Sequence, residues 1–289
     1  MGTQLILPNF VLPGRISQVD QYSGIDSLDH CCDRDHFKSY PHAIEYRYNS
    51  RGYRDQEWPN DLNNAIWCLG DSFTAGIGSP IEHTWPYLLQ QVSGQTCINI
   101  SMDGASNDWL ARRALDITTK VPSQRLVIMW SFIERRELAV STVAQDIWQN
   151  FYQAIRDKSW PHQANFGDLP TTIKKEIIQE HHNPSIEFIG DDIVFKIEDN
   201  DRIYQDHQAS DRENIENFAN NIQQVAKACP NAIHAFVPGF CRQDLATQCQ
   251  AVMPDRCLAI TPKLDLARDG YHFDIKTAQW IVQAIQNLL

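Results

Sequence analysis

The chain has 289 residues, of which 43% are hydrophobic, and a formal net charge of −11 at pH 7. A chain of this length buries a full core in one or two domains. Its acidic balance excludes the broad basic surface that binding to a phosphate backbone requires, so we expect no nucleic-acid partner.

The first residues lack the pattern of an export signal. The segment "MGTQLILPNFVLPGR" (1–15) has no basic residue before its apolar stretch, and Pro8 and Pro13 interrupt that stretch. No apolar run approaches the roughly 20 residues that span a bilayer. We therefore expect a soluble, cytoplasmic protein without a membrane partner, and the sequence leaves the oligomeric state open.

The first 60 residues are irregular and rich in Asp, Tyr and Arg. A polar stretch without apolar periodicity favours loops over regular elements. We interpret residues 1–60 as an N-terminal extension that wraps the core, with Asn49 and Arg54 as the side chains that anchor it.

Short, continuously apolar runs then alternate with amphipathic stretches. Such runs are typical of strands that are buried on both faces, as in a parallel sheet covered by helices. The predicted strands are 65–70, 96–101, 125–130, 232–238 and a weaker one at 256–261. The predicted helices are 84–93, 107–119, 214–229 and 275–289. This alternation predicts an α/β protein with three layers, α/β/α, around a central parallel sheet.

Residues 141–213 interrupt the alternation. They contain two helix-like pieces, 143–157 and 171–182, and a possible hairpin, "SIEFIGDDIVFKIED" (185–199), with a turn signal at "GDD". A compact domain does not leave so long an interval without structure. We interpret 141–213 as an inserted subdomain or lid, which divides the α/β domain into residues 61–140 and 214–289.

Eight cysteines are present, and none forms a Cys-x-x-Cys pair. Cys68 in "AIWCLG" and Cys97 in "TCINI" lie in apolar runs, where cysteine is usually a plain buried thiol. The adjacent His181 and His182 have no metal-ligand pattern around them and indicate surface. We expect free thiols, no metal site and no cofactor.

Ser72 follows the first predicted strand by two residues, in "IWCLGDSFTAGIG" (65–77). Ligands of open α/β sheets bind at the carboxyl ends of the strands, so this hydroxyl is expected at the binding crevice. A hydroxyl is a weak nucleophile that needs an adjacent base. Ser72 is therefore a candidate nucleophile, and the alternative is an ordinary loop serine.

A candidate base lies in "LARDGYHFD" (266–274), just before the last predicted helix. His272 follows Asp269 by three residues, so the carboxylate can reach the imidazole nitrogen that faces away from the serine. The alternatives are a core histidine and an aspartate that caps the helix, a role open to Asp269 and to Asp274.

With these residues in place, the sequence resembles the SGNH/GDSL hydrolases, through "GDSFT" (70–74), the distant "DGYH" (269–272) and "YNSRGYRD" (48–55). The resemblance implies a flavodoxin-like α/β/α fold and a serine esterase without a cofactor. It also implies Ser72 as nucleophile, His272 as general base and Asp269 as the residue that orients it.

The resemblance further implies an oxyanion hole, built from the backbone N–H groups of Ser72 and Gly104. The third donor of that family, an Asn side chain in a GxND block after the third strand, is not matched, because "WSFIER" (130–135) places Phe132 there. Candidates for the missing donor are Asn107, which is equally well a helix cap, and Ser131.

Asp71, Ser131 and Arg135 are candidate substrate contacts, since Arg suits carboxylate recognition. For Asp71 the alternative is a turn residue. The alternative for the charged residues 134–137 is that they form a solvated helix start with internal ion pairs.

The function expected from the sequence is hydrolysis of carboxylic esters, most simply removal of short O-acyl groups such as acetyl from a carbohydrate or small molecule. The expected partner is thus a small-molecule or glycan ester. Two alternatives stay open: a non-catalytic binding protein of the same fold, and an acyltransferase that uses the same three residues.

Overall fold

The computed structural model describes residues 15–121, 125–138, 185–189, 192–197 and 210–289. In the N-terminal segment, β1 (Val19–Asp20) pairs with β2 (Tyr46–Arg47) in antiparallel orientation, and α1 (Arg34–Ser39) lies between them. No helix in the described part of the chain has the length and apolar character needed to cross a bilayer.

Four parallel strands form the central sheet. They are β3 (Ile66–Gly70), β4 (Cys97–Ser101), β5 (Arg125–Trp130) and a later strand, Ile233–Phe236. The spatial order is β4, β3, β5 and then the later strand. All residues of β3 and β4 are buried, which explains their continuously apolar sequence. The four stronger strand predictions are thus confirmed.

The weaker strand prediction, 256–261, is confirmed only as a single bridge. Cys257 pairs in parallel with His234, and the N–H of Leu258 donates to the carbonyl of His234. The N–H of Thr261 still donates to the carbonyl of Phe236 at 3.4 Å, but Ile260 is already 38% exposed, so the run does not continue as a regular strand.

Helices cover the sheet. They are α2 (Ser72–Ala75), α3 (Trp85–Ser93), α4 (Asn107–Lys120), α5 (Asp211–Ala228), α6 (Ala246–Ala251) and α7 (Ile275–Gln286). Short 3-10 turns occur at Ile81–His83 and Gln243–Leu245. Helix α3 packs against α7, and α4 packs against α5. Crossovers between parallel strands are right-handed as a rule, and with this strand order the rule puts the two helix pairs on opposite faces, in agreement with the predicted three-layer α/β/α architecture.

One capping residue and one helix start differ from the prediction. Ser106, not Asn107, caps α4, since its hydroxyl accepts the N–H of Trp109 at 3.1 Å. Helix α5 begins three residues before the predicted boundary, because Ser210 and Glu213 form a reciprocal capping box.

A second, antiparallel sheet contains β6 (Arg136–Leu138), β7 (Ser185–Ile189) and β8 (Asp192–Ile197), in the order β6-β8-β7. The pairing of β7 with β8 confirms the predicted hairpin. The helix predicted to start within 134–137 is wrong, because residues 136–138 pair with β8 instead. The predicted helices 143–157 and 171–182 and the pair His181–His182 lie outside the described residues. The division at residues 141 and 213 stays a prediction, as does that of the N-terminal extension at residue 60.

The buried guanidinium of Arg54 joins the N-terminal segment to the loop after β3. It donates to the carbonyls of Ala75, Gly76 and Ser79, at 3.0 Å for Ala75 and 2.7 Å for Ser79. The side chain of Asn49 stabilises its own turn, since its oxygen accepts the N–H groups of residues 51 and 53. All eight cysteines are free thiols, and Cys68, Cys97, Cys229 and Cys249 are buried.

Candidate active site

Ser72 lies in a tight turn at the carboxyl end of β3. The strand ends at Gly70, where an added Cβ would come within 1.9 Å of the Thr74 hydroxyl, so this turn requires glycine. Asp71 then caps the short helix α2, with its carboxylate accepting the N–H of Phe73 at 3.0 Å. Ser72 is therefore the first residue of α2, at the sheet edge where ligands bind in open α/β folds.

The structure brings Ser72, His272 and Asp269 into one chain of hydrogen bonds. The Ser72 Oγ lies 2.8 Å from Nε2 of His272, and Nδ1 of His272 lies 2.5 Å from Oδ2 of Asp269. When Nδ1 carries the proton, it donates to the carboxylate, and Nε2 accepts the serine hydroxyl. All three side chains are almost fully buried.

The Asp269 carboxylate is held in its charged form. Burial raises its pKa, but the hydrogen bond and positive charge of His272 and the N–H groups of Tyr271 and His272 outweigh burial. The two N–H groups donate to Oδ1 at 2.8 and 2.9 Å. The pKa of Asp269 therefore lies below its ordinary value, so the side chain stays an anion that orients the imidazole.

Aromatic rings enclose the imidazole. The ring of Phe73 lies 4.6 Å from the His272 ring and 5.8 Å from that of Tyr271, and the Phe132 ring lies 6.0 Å from Phe73. Apolar neighbours of this kind exclude water from hydrogen bonds and strengthen electrostatic interactions within the cluster.

The predicted oxyanion donors are the backbone N–H groups of Ser72 and of Gly104, which lies in the loop after β4. The N–H of Met102 donates to the carbonyl of Gly70, so the loop after β4 runs alongside the Ser72 turn. Gly104 in that loop has a φ of +70°, a conformation that favours glycine. Among the described residues, no acceptor binds the N–H of Ser72 or of Gly104.

The side chains predicted as a third donor are already engaged elsewhere. The Asn107 oxygen accepts the N–H of Ser131 at 3.0 Å, and its amide nitrogen donates to the carbonyls of Ser131 and Phe132. The Ser131 hydroxyl donates to Oδ2 of Asp71 at 2.6 Å. Asn107 thus ties α4 to the loop after β5, and neither side chain has a spare donor hydrogen.

Asp71, Ser131 and Arg135, predicted as substrate contacts, lie together but bind each other. Arg135 Nη1 lies 3.1 Å from Oδ2 of Asp71 and 3.1 Å from the Ser131 hydroxyl. Asp71 and Ser131 are completely buried. Sequence reasoning missed this ion pair, since no spacing relates two residues 64 positions apart.

The loop of Asp269 and His272 is held from the N-terminal segment. The Arg268 guanidinium forms a two-pronged pair with the buried Asp26 carboxylate, at 2.9 and 2.6 Å. Asp26 also accepts the hydroxyl of Tyr46 at 2.5 Å. The N–H of Cys32 donates to the carbonyl of Asp269 at 2.8 Å. The sequence held no signal for these contacts.

Two further contacts fix this loop. An imidazole nitrogen of His36, Nε2, lies 2.8 Å from the carbonyl of Ala267, whose N–H in turn donates to the carbonyl of His272. The backbone at Gly78 passes so close that an added Cβ would lie 2.9 Å from the Asp269 carboxylate. The described residues contain no group of three or more His, Cys, Asp or Glu side chains that could hold a metal ion.

The fold and site define a three-layer α/β protein with a hydrogen-bonded Ser–His–Asp arrangement at the carboxyl edge of its sheet. No protein-family model and no curated protein matches the chain. Among solved structures, it is similar to a proposed lipolytic protein of the G-D-S-L family from Desulfitobacterium hafniense, at 13% identity and a TM-score of 0.38, covering 78% of this chain and 100% of that one.

A family 3 carbohydrate esterase from Clostridium thermocellum is 13% identical, with a TM-score of 0.32 and coverage of 78% of this chain and 96% of that one. The acetyl xylan esterase Est2A from Butyrivibrio proteoclasticus is 12% identical, with a TM-score of 0.37 and coverage of 80% and 66%.

Proposed function

We propose that this protein is a serine esterase of the SGNH type, which hydrolyses carboxylic esters through an acyl-enzyme. The observation that carries the proposal is the hydrogen-bond chain from Ser72 Oγ through His272 to the Asp269 carboxylate. A serine hydroxyl becomes an effective nucleophile when a base is within hydrogen-bond distance and a third group orients that base.

In the proposed reaction, Ser72 Oγ attacks the ester carbonyl carbon while Nε2 of His272 takes the hydroxyl proton. The tetrahedral intermediate collapses, the C–O bond to the alcohol breaks, and the leaving alkoxide takes the proton from His272. Water then attacks the acyl carbon while Nε2 of His272 takes its proton. The bond between that carbon and Ser72 Oγ breaks, Oγ regains the proton from His272, and the carboxylic acid leaves. Asp269 stays ionised throughout and stabilises the imidazolium.

The negative charge of the tetrahedral intermediate needs donors, and the N–H groups of Ser72 and Gly104 are proposed for this role. One such donor contributes on the order of 3 kcal/mol to transition-state stabilisation. Because Asn107 and Ser131 are hydrogen-bonded elsewhere, we propose a hole of two backbone donors without a side-chain amide.

The proposed substrate is a small-molecule or glycan ester with a short acyl group such as acetyl, as the family resemblance suggests. The reaction written above needs no cofactor. The net charge of −11 disfavours polyanionic partners such as nucleic acid.

A fluorophosphonate probe, together with p-nitrophenyl acetate turnover, tests the proposal. We expect the wild type to be labelled and active, and Ser72→Ala and His272→Ala to lose both properties. Ser93→Ala is the matched control, since its hydroxyl lies at the end of α3 and, among the described residues, bonds the carbonyl of Leu89 and the N–H of Gln95. A wild type without labelling and with turnover equal to Ser72→Ala contradicts the proposal and favours a binding protein. Faster ester transfer to an added alcohol than to water identifies an acyltransferase.

A further inference from the structure

The carboxylate of Asp71 poses an electrostatic problem next to Ser72. It directly precedes Ser72, is completely buried, and holds the first turn of α2 by accepting the N–H of Phe73. An unpaired buried carboxylate destabilises a protein strongly. Beside a reacting ester it would also repel the negative charge that develops on the carbonyl oxygen, because charges interact strongly where water is excluded.

Arg135 supplies the compensating charge. Its Nη1 lies 3.1 Å from Oδ2 of Asp71, on the oxygen that also accepts the Ser131 hydroxyl. The remaining oxygen, Oδ1, faces the N–H of Phe73. The two carboxylate oxygens are thus divided between the turn and the loop after β5.

The Arg135 side chain is itself held in place. Its guanidinium lies 4.8 Å from the centre of the Phe132 ring, and its backbone N–H donates to the carbonyl of Phe132 at 3.0 Å. The carbonyl of Arg135 accepts the N–H of Asn107 at 3.2 Å. A planar, permanently charged guanidinium stacked on a ring needs little reorganisation when charge develops nearby.

We propose that Arg135 is a positioning residue of the esterase site, which neutralises Asp71 so that this carboxylate can hold the Ser72 turn without opposing the oxyanion. The proposal rests on the esterase function proposed above. The loop after β5 then contributes a charge that acts through Asp71, and does not contribute a donor to the oxyanion.

The test is a charge-rescue experiment with Arg135→Met, Asp71→Asn and the double variant. We expect Arg135→Met to lower kcat for p-nitrophenyl acetate about 10- to 100-fold with little change in KM, because an uncompensated carboxylate acts on the transition state. In the double variant the carboxylate charge is also gone, so kcat should rise above that of Arg135→Met. If Arg135 only filled space, the double variant would have a lower kcat than Arg135→Met, because removing a second member of the network would add a further loss.

Arg135→Lys keeps the charge and should retain more activity than Arg135→Met, and Arg242→Met, at an exposed ion pair, is the matched control. An Arg135→Met variant as active as wild type, or a double variant no more active than Arg135→Met, overturns the proposal. If Arg135→Met does not fold, the double variant decides alone: more than a tenth of the wild-type kcat supports the proposal, and less overturns it. A wild type without Ser72-dependent turnover is a different result, which removes the esterase function and this inference with it.

Discussion

The loop that carries Ser72 and the loop that carries Asp269 and His272 are held by different parts of the chain. The Ser72 turn is fixed by the end of β3, by Arg135 in the loop after β5, and by Arg54, which donates to the carbonyls of Ala75 and Gly76. The loop at residues 267–272 is fixed largely by the N-terminal segment, through Asp26, Cys32 and His36.

This difference separates two kinds of support. The Ser72 turn is held by a buried ion pair within the α/β domain and by the nearby Arg54. The Asp269–His272 loop depends on contacts between residues more than 230 positions apart in sequence. Loss of the contacts made by Asp26, Cys32 and His36 should therefore misplace His272 and leave the Ser72 turn, which Arg54 still holds, intact. The following predictions test that separation, from the largest effect to the smallest.

The Asp269→Asn substitution removes the charge on the acid–base side and should cause the largest loss. Without the carboxylate, the imidazole loses its preferred tautomer and the stabilisation of its cationic form, so kcat should fall on the order of 10³- to 10⁴-fold. The measurement is steady-state turnover of p-nitrophenyl acetate. A loss smaller than tenfold, with an unchanged melting temperature, would show that Asp269 does not orient His272.

The Asp26→Asn substitution removes the carboxylate charge that pairs with Arg268. Breaking one partner of a buried pair lowers the free energy of unfolding by about 3 kcal/mol or more. Turnover should fall as well, because Arg268 adjoins Asp269. Denaturant unfolding and turnover are the readouts, and Asp29→Asn, at an exposed pair with Arg34, is the control that should leave both unchanged. Full activity in Asp26→Asn would show that the pair with Arg268 is not needed to hold the loop of Asp269 and His272.

A single added methyl group at Gly78 should displace the Asp269 carboxylate. Gly78→Ala places a Cβ 2.9 Å from that carboxylate, and we expect kcat to fall about 10- to 100-fold because small misplacements of reacting groups have large effects. Gly94→Ala is the matched control: its φ is also positive, at +65°, but nothing lies within 4 Å of the added Cβ. If the two variants lose equal activity, backbone strain alone explains the effect.

The hydrogen bond between His36 and the carbonyl of Ala267 is expected to be the weakest of the contacts that hold the Asp269–His272 loop. His36→Phe removes the donor to the carbonyl of Ala267, and the net contribution of such a hydrogen bond is about 1 kcal/mol. We expect a small fall in stability and a fall in kcat of about twofold to fivefold, measured against His36→Gln, which keeps an N–H donor. An unchanged His36→Phe variant would remove His36 from the set of anchors.

The lowered pKa of Asp269 predicts a pH dependence of stability. The folded state holds this carboxylate below its unfolded pKa of 3.8, so its stabilising contribution is present above that value. The contribution is lost as the pH falls through the lower folded pKa. The difference in unfolding free energy between wild type and Asp269→Asn should shrink as the pH falls below about pH 4. A constant difference down to pH 2 would contradict the cause assigned to the shift.

Much of the fold was predictable, because strands buried on both faces leave a continuous apolar run. The strand at Arg125–Trp130 has its predicted bounds. The start of α5 was missed although Ser210 and Glu213 stand three residues apart, a capping signal present in the sequence. The run at 256–261 became a single bridge because it lies at the sheet edge.

In the candidate site, the sequence predicted the residues that follow strand ends. It did not predict the residues that hold them in position. Ser72 and His272 are marked by strand ends and by local spacing. Asp26, Gly78 and Arg135 act through contacts across the fold, and neither periodicity nor spacing marks such contacts. Asn107 was predicted at the start of a helix, where the structure has it. Its amide donates to carbonyls of the loop after β5, and the path of that loop is not readable from the sequence.

The long separation in sequence between Ser72 and His272 also has a consequence during translation. Ser72 and its turn leave the ribosome some 200 residues before His272 does, since synthesis proceeds from the N-terminus and domains fold as they emerge. Throughout that interval the Ser72 hydroxyl is an ordinary alcohol. It gains its base only when residues 267–274 have emerged and folded back onto the segment that was made first.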